Sequence, residues 1–306
     1  MKALRRILLP FAALLLLLAI ALAWILNTAS GARFAVNLAE RFLEGRLSTG
    51  AVDGTIAGGL RIRQSHWRDA ADGIEVQAGE IRATLVPGAL LGKTVRLRNL
   101  TLHDLRVDLT TVAPRPESGA DSLSPPIDIV IDAFALDGGE LRRDGTASFS
   151  ITRLVFRGEW TKSGIELGGA HMVAPNGEVS LEARLASRAP WLEHATGFFD
   201  WRAGEHRWRG SLASVRQSAS VALRGNLDSP FPLTLTGEVS RRERTWRLNA
   251  AVPRFDPRRD FLPDSRLESF AAELEAQGVR NTMKLHGDVD LNDERLSLRE
   301  IGRAHV

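Results

Sequence analysis

The chain contains no cysteine and no tyrosine. Without cysteine there is no disulfide, no thiolate metal site, no cysteine nucleophile and no lipid attached to an N-terminal cysteine. Lysine is almost absent: Lys2, Lys93, Lys162 and Lys284 are the only four, so nearly all of the 40 basic residues are arginine. These stand against 37 acidic residues, a formal charge of +3 that calls for no polyanionic partner and no nucleic acid. The chain also lacks G-x-S-x-G, H-E-x-x-H, the P-loop and G-x-G-x-x-G. Its histidines (His66, His103, His171, His194, His206, His286 and His305) show no ligand spacing. Asp288-Val-Asp290-Leu-Asn292-Asp293 starts like a calcium loop but has no glycine at the sixth position and no closing glutamate. Solvated carboxylates alternating along a strand explain it better. These absences predict no catalytic residue, no metal and no cofactor, and hence no enzyme.

Long apolar runs are missing too, with one exception. After the basic flank 1–6, Ile7 to Leu26 carries no charge. At about 1.5 Å per helical residue this run spans the roughly 30 Å hydrocarbon core of a bilayer. Pro10 falls in the first turn, where its missing N–H costs least, and Trp24 falls near the far interface. Lys2, Arg5 and Arg6 favour a cytoplasmic N-terminus, sending the rest across the membrane. A cleaved signal peptide competes, because Ala21-Leu22-Ala23 resembles a cleavage site. A secretory apolar core is usually about 7–15 residues, which favours a retained anchor over 7–26.

The remainder of the chain is patterned. In segment 27–46, Phe34, Leu38 and Phe42 share one side of a short amphipathic helix over residues 30–45, with Ser30 as N-cap, Gly45 beyond its end and the stripe packed into the core. From about Leu47 the period becomes 2. Leu60/Ile62, Ile74/Val76, Ile81/Leu85, Val95/Leu97, Leu100/Leu102, Leu105/Val107/Leu109 and Ile127/Ile129/Ile131 alternate with polar residues. The phase slips at Asn99 and at His103-Asp104, which predicts bulges or turns. Similar runs continue to Leu291. Asp53-Gly54, Gly58-Gly59, Asp72-Gly73, Asp137-Gly138, Asp144-Gly145 and Asn176-Gly177 read as turns. Leu267 to Ala276 is one further helix candidate. Phrases such as Val221-Ala-Leu-Arg-Gly-Asn-Leu227 and Leu233-Thr-Leu-Thr-Gly-Glu-Val239 form a loose strand–Gly–strand repeat. The basic-aromatic stretches Trp201–Arg209 and Arg241–Arg247 are interrupted by Glu205 and Glu243, which suits arginine on an outward strand face.

The expected class is all-β: an N-terminal transmembrane helix and a short amphipathic helix, then an elongated, curled antiparallel sheet, open and barrel-like. The segments are a first sheet portion over 47–112, a Pro/Ser-rich loop over 113–126, a continuing sheet over 127–299, and 300–306 as a foreign tail on a truncated chain. Thirteen residues are expected to share the apolar face: Leu60, Ile62, Ile74, Val76, Ile81, Leu85, Val95, Leu97, Leu105, Val107, Leu109, Ile129 and Ile131. Periodicity alone leaves two forms open, an uncovered groove and a closed core packed on itself.

Several phrases in order carry a resemblance: Thr28-Ala-Ser-Gly31 after the apolar run, Val52-Asp-Gly54-Thr-Ile-Ala-Gly-Gly-Leu60, Leu90-Leu-Gly-Lys-Thr-Val95 and Leu100-Thr-Leu-His-Asp-Leu-Arg-Val107. Over residues 1–112 the chain resembles the N-terminal part of the TamB family, the translocation and assembly module inner-membrane subunits among the AsmA-like proteins of Gram-negative bacteria. The resemblance implies an inner-membrane anchor and a periplasmic β-groove that conducts phospholipid by its acyl chains toward the outer membrane. It also implies support of outer-membrane protein assembly with a TamA-like barrel partner, reached through a C-terminal region that this chain lacks. The alternative is a scaffold that holds that partner and carries no lipid.

Overall fold

The structure is a computed structural model and describes residues 20–43, 45–111, 124–188, 192–218, 220–240, 245–260, 263–279, 282–292 and 294–303. The chain divides into two compact units, Met1–Ser118 with Ile127–Arg157, and Gly119–Pro126 with Gly158–Val306. The basic flank and the first part of the expected anchor, 1–19, lie outside the described residues. Residues 20–27 are helical, and among the described residues no helix is long and apolar enough to cross a membrane.

Helix α1 (Ala29–Phe42) comes directly after. Its N-cap is Thr28, not Ser30. Thr28 has extended backbone (φ −121°, ψ 151°), its Oγ1 accepts from Gly31 N at 3.0 Å, and the same hydroxyl donates to Trp24 O at 2.7 Å. One side chain therefore closes the helix before it and opens α1. Gly31 is needed at this corner, because a Cβ there would lie 2.3 Å from Trp24 O. The apolar stripe is not core packing as its periodicity suggests. Phe34, Leu38 and Phe42 are exposed, and the buried helical residues are Gly31 and Ala32. The helix is held instead by polar groups. Arg33 Nε donates to Val52 O (3.1 Å), and Glu40 accepts from Thr49 N and Oγ1 (2.6 and 2.7 Å).

Unit 1 contains β1 (Leu47–Ser48), β2 (Val52–Thr55), β3 (Gly59–Asp69), β4 (Ile74–Leu85), β5 (Thr94–Leu109), β6 (Asp128–Arg143) and the larger part of β7 (Thr146–Thr161). Both β1 and β2 pair with β3, and β3, β4 and β5 form an antiparallel meander. The sheet is not antiparallel throughout: β5 and β6 are parallel, in register from Thr94↔Asp128 to Leu109↔Arg143. Parallel neighbours require the chain to return the full length of the strand, about 50 Å for β5 at ~3.3 Å per residue. Residues 110–127, which include the Pro/Ser-rich stretch, make that return; residues 112–123 of it lie outside the described residues. Period-2 patterning is blind to strand direction, so the sequence could not show this.

The alternation breaks at one level across the unit. Gln64 (φ 55°), Asp104 (φ 53°) and Gly138 (φ 76°) each insert one residue, and Gly79 stands between the first two. Asp137-Gly138 thus lies within β6, with Gly138 opposite Asp104, and is not a turn, and Asp53-Gly54 lies inside β2. The slip near Asn99 is also a bulge, between the pairs Thr84↔Asn99 and Leu85↔Leu97. Because neighbouring strands slip together, the apolar residues resume on the same face.

Unit 2 contains β8 (Gly164–Ala174), β9 (Gly177–Ala186), β10 (Leu192–Ala203), β11 (His206–Gln217), β12 (Ser220–Ser229), β13 (Leu233–Ser240), β14 (Thr245–Phe255), β15 (Phe270–Val279), β16 (Thr282–Leu291) and β17 (Glu294–Arg303). From β8 onward each strand pairs antiparallel with the next. The helix expected over Leu267–Ala276 is strand: Ala272, Leu274 and Ala276 line one face of β15 and Glu273, Glu275 and Gln277 the other. A single helical turn, α2 (Pro257–Asp260), lies instead between β14 and β15, where the sequence carries no helical period.

The cap assignment is testable. Thr28→Ala removes both hydroxyl bonds and should destabilise α1 by about 1 kcal/mol, whereas Ser30→Ala should do little. Hydrogen exchange at the Gly31 amide measures this, and equal effects of the two substitutions would contradict the assignment.

Candidate functional site

Cross-strand partners share a sheet face. In unit 1 the register builds rows across β3–β6: Leu60–Ala83–Leu100–Phe134, Ile62–Ile81–Leu102–Leu136, and Trp67–Val76–Val107–Leu141. Shorter rows are Ala78–Leu105, Ile74–Leu109, Leu85–Leu97–Ile131 and Val95–Ile129. All thirteen residues picked out by periodicity fall on this one face, and every one is half-buried. The register adds Trp67, Phe134 and Leu136 and places Leu100 and Leu102, which alternate in the sequence but are not among the thirteen, on the same face. Phe134 stacks on Phe156 of β7, with centroids 4.3 Å apart. In a closed two-layer core such side chains would be buried. Here the buried apolar residues among those described are Ala32, Val52, Ala78, Leu136, Ala170, Ala174 and Ala272, mostly alanines.

The opposite face of unit 1 is charged and paired. Glu80 accepts from both Arg61 and Arg82, Arg96 bonds Asp132 (2.9 Å), and Arg106 lies 3.3 Å from Glu140. His103 takes an outward position on this face, as its place in the alternation implies, 3.8 Å from Asp137. The Arg61 hydrogen bond, with Arg82 second, holds Glu80 below the ordinary carboxylate value. In unit 2, Arg207 and then Arg209 lower Asp200, and Arg295 and Ser297 lower Asp288. Two of the three arginines of the first basic-aromatic stretch, Arg207 and Arg209, thus pair with Asp200, and Arg247 of the second lies 3.5 Å from Glu275. Asp288 and Asp290 lie on β16, and among the described residues no acidic or histidine cluster could hold a metal.

The apolar face of unit 2 has a pattern that no single strand displays. Across β8–β17 one row reads Ala170, Leu181, Gly197, Leu212, Gly225, Leu235, Ala250, Leu274, Gly287, Leu298. Small residues and leucines alternate strand by strand. The neighbouring row Ser214, Leu223, Gly237, Leu248, Ala276, Leu285 alternates in the opposite sense. The two rows make a checkerboard in which each leucine leans over the small residue beside it. Leu212 Cδ1 and Leu235 Cβ would lie 3.3 and 3.5 Å from a Cβ at Gly225. The strand–Gly–strand phrases are the linear trace of this tiling. An aromatic row that periodicity does not reveal crosses the same unit: Trp208, Phe231, Phe255 and Phe270, with successive centroids 6.2, 5.8 and 5.8 Å apart. A hollow of about 680 Å³ in unit 2 is lined largely by polar groups such as Glu238, Arg247, Gln277 and Lys284, so the candidate site is an open face and not this hollow.

Set beside known proteins, residues 17–190, more than half of the chain, match the family model described as TamB, N-terminal domain. No curated protein and no solved structure matches the chain.

The tiling and the charged face can each be tested. Gly225→Val should destabilise by about 1–3 kcal/mol through overpacking. Adding Leu212→Ala should recover part of that in a double-mutant cycle by urea denaturation, and strict additivity would exclude the contact. On the charged face, acid is the probe. A lowered carboxylate contributes stability that is present above its ordinary value, 4.5 for Glu80 and 3.8 for Asp200 and Asp288, and is lost as pH falls through the lowered value. The urea midpoint should therefore be flat from about pH 7 to pH 5 and fall below about pH 4. The fall should be smaller in a Glu80→Gln, Asp200→Asn, Asp288→Asn variant; an unchanged fall would remove these groups as its source.

Proposed function

Because the chain belongs to the TamB family, a non-enzymatic transport and assembly module of the bacterial envelope, we propose that it conducts phospholipid toward the outer membrane and supports outer-membrane protein assembly. In this reading 7–26 is a single-pass inner-membrane anchor with a cytoplasmic N-terminus, and the bulk of the chain is periplasmic. The apolar face of unit 1 serves as an open trough. Acyl chains lie against Leu60, Ile62, Leu97 and Val107, while head groups stay in solvent. A TamA-like barrel-assembly protein is the outer-membrane partner.

One observation carries the reading: the apolar residues of four neighbouring strands lie in register on one half-exposed face, backed by a face of paired charges. The energetics explain the use of such a face. Each lipid CH₂ exposed to water costs about 0.8 kcal/mol, so a chain of about 16 carbons faces on the order of 13 kcal/mol without shelter. A trough can provide that shelter with no catalytic group.

Photo-crosslinkers at Leu97 and Val107 should capture phospholipid in cells; capture of protein alone would favour a scaffold holding the outer-membrane partner. Val107→Asp or Leu97→Asp should block lipid capture and leave the melting temperature little changed, because an unpaired charge in an apolar path costs several kcal/mol. Arg106→Asp, on the charged face, should have little effect on capture. If inward and outward charges act alike, the trough assignment fails; if inward charges unfold the protein, the face is a packed core.

A further inference from the structure

The two ends of unit 1 differ in character. At one end, Leu26 O accepts from Ala57 N (2.9 Å), which places the end of helix 20–27 against the β2–β3 turn. Ile56 O accepts from Leu85 N (3.1 Å), and Val86 N donates to Arg96 O (2.8 Å), so the β4–β5 connection lies at the same end. That connection is a 3-10 turn over Pro87–Gly92, closed by Lys93 in the left-handed region (φ 58°). Thr94 pairs with Asp128, which brings Ile127 to the same level. Segments 20–28, 56–58 and 86–93 contain no carboxylate, and Lys93 is their single charge. Their apolar side chains project into solvent: Leu91 is 91% exposed, and Ile20, Leu22, Leu90 and Ile127 are exposed as well.

The opposite end is built from charge. Arg68 N donates to Arg46 O, Thr110 N to Gly73 O and Asp144 N to Leu109 O, and the surrounding side chains include Arg46, Asp69, Asp72, Arg143 and Asp144. A quarter of the chain is charged, so an end whose loops carry one cation, with Asp128 the one acidic residue beside them, and which exposes five large aliphatic side chains stands apart from its background.

We propose that this end of unit 1 docks on a phospholipid bilayer, with Leu90, Leu91 and Ile127 entering the boundary between head groups and acyl chains and Lys93 beside lipid phosphate. The proposal rests on the anchored reading above and goes beyond it by naming the loop that meets the membrane. The uncharged run Ile7–Leu26 leads to this end of the sheet, because its last residue bonds the β2–β3 turn. Trp24, partly exposed on helix 20–27, suits the interfacial layer. The loops of this end carry no carboxylate and Asp128, beside Ile127, is the one acidic residue at their level, so the end meets anionic lipid with little opposition; exposed leucines followed by a cation match the layered chemistry of a leaflet from acyl chain to phosphate.

The native chain has no cysteine, so single-cysteine variants carry one label each. The full chain, labelled with an environment-sensitive fluorophore at Leu91→Cys, Ile127→Cys, Leu22→Cys or Ala71→Cys, is reconstituted in vesicles of phosphatidylethanolamine with a minority of phosphatidylglycerol. A fraction of the lipid carries a nitroxide near the top of the acyl chain. Positions 91 and 127 should be blue-shifted and quenched, and position 71, at the charged end, should be neither. Adding Leu90→Glu and Leu91→Glu should abolish quenching at 127 and leave quenching at 22. Quenching at 91 and 127 no greater than at 71 overturns the proposal. Position 22 then separates the cases: quenched there, the anchor stands and only the docking fails; unquenched, both fail. A blue shift without lipid quenching signals contact with a second protein copy and also overturns it, as does quenching at 127 that survives the two glutamates.

Discussion

The cross-strand hydrogen-bond ladder is the constraint on which the rest of this protein depends. Most globular folds hold their apolar residues by packing one layer against another. Here the fully enclosed apolar residues are few and small, and the ladder does what a core usually does: it keeps the apolar side chains of successive strands level and on one side. A slip of one residue in a single strand would turn its remaining side chains to the wrong face. Gln64, Asp104 and Gly138 show how that is avoided. The strands slip at the same level, and Asp104 fits between Gly79 and Gly138, whose missing side chains leave it room. The shared extra residues preserve the sheet's two-sidedness.

The two faces differ in chemistry. Arginines on the polar face bridge carboxylates on neighbouring strands, as Arg61 does on Glu80 and Arg207 and Arg209 do on Asp200. Each exposed pair contributes little to stability. Their larger effect is on what the sheet cannot do, since a face laced with charge cannot be buried against another layer without a heavy desolvation cost. Arginine suits this work because its planar fork can reach two acceptors across strands, which a lysine ammonium does less well. The apolar face, left half-exposed, is in want of an apolar partner. An acyl chain, the occupant proposed for it, would meet that need without demanding shape complementarity.

The checkerboard of unit 2 shows packing solved within one layer. Leucines on alternate strands cover the glycines and alanines between them, so apolar surface is partly sheltered by lateral contact alone. α1 uses the opposite economy. It docks through Gly31, Ala32, Arg33 and Glu40 and leaves Phe34, Leu38 and Phe42 facing outward. The amphipathic period is real, but a period gives the existence of an apolar side and not its direction.

Much of this is legible in the sequence alone. Alternation identifies the strands and the thirteen apolar positions of unit 1, because side chains two apart must share a face whatever the strand pairs with. The slip at His103-Asp104 is legible for the same reason. Ordered phrases such as Leu90-Leu-Gly-Lys point to the family whose model matches the chain. What the sequence could not contain is the relation between strands. The parallel pairing of β5 with β6, the common level of the bulges, the alternating rows from Ala170 to Leu298 and the gathering of Leu26, Ala57, Leu91 and Ile127 at one end are all properties of register. The chain determined which residues are apolar and how they alternate, since that follows from local covalent geometry. Only the tertiary structure decided which of them stand side by side, because hydrogen bonds between segments far apart in sequence set that order.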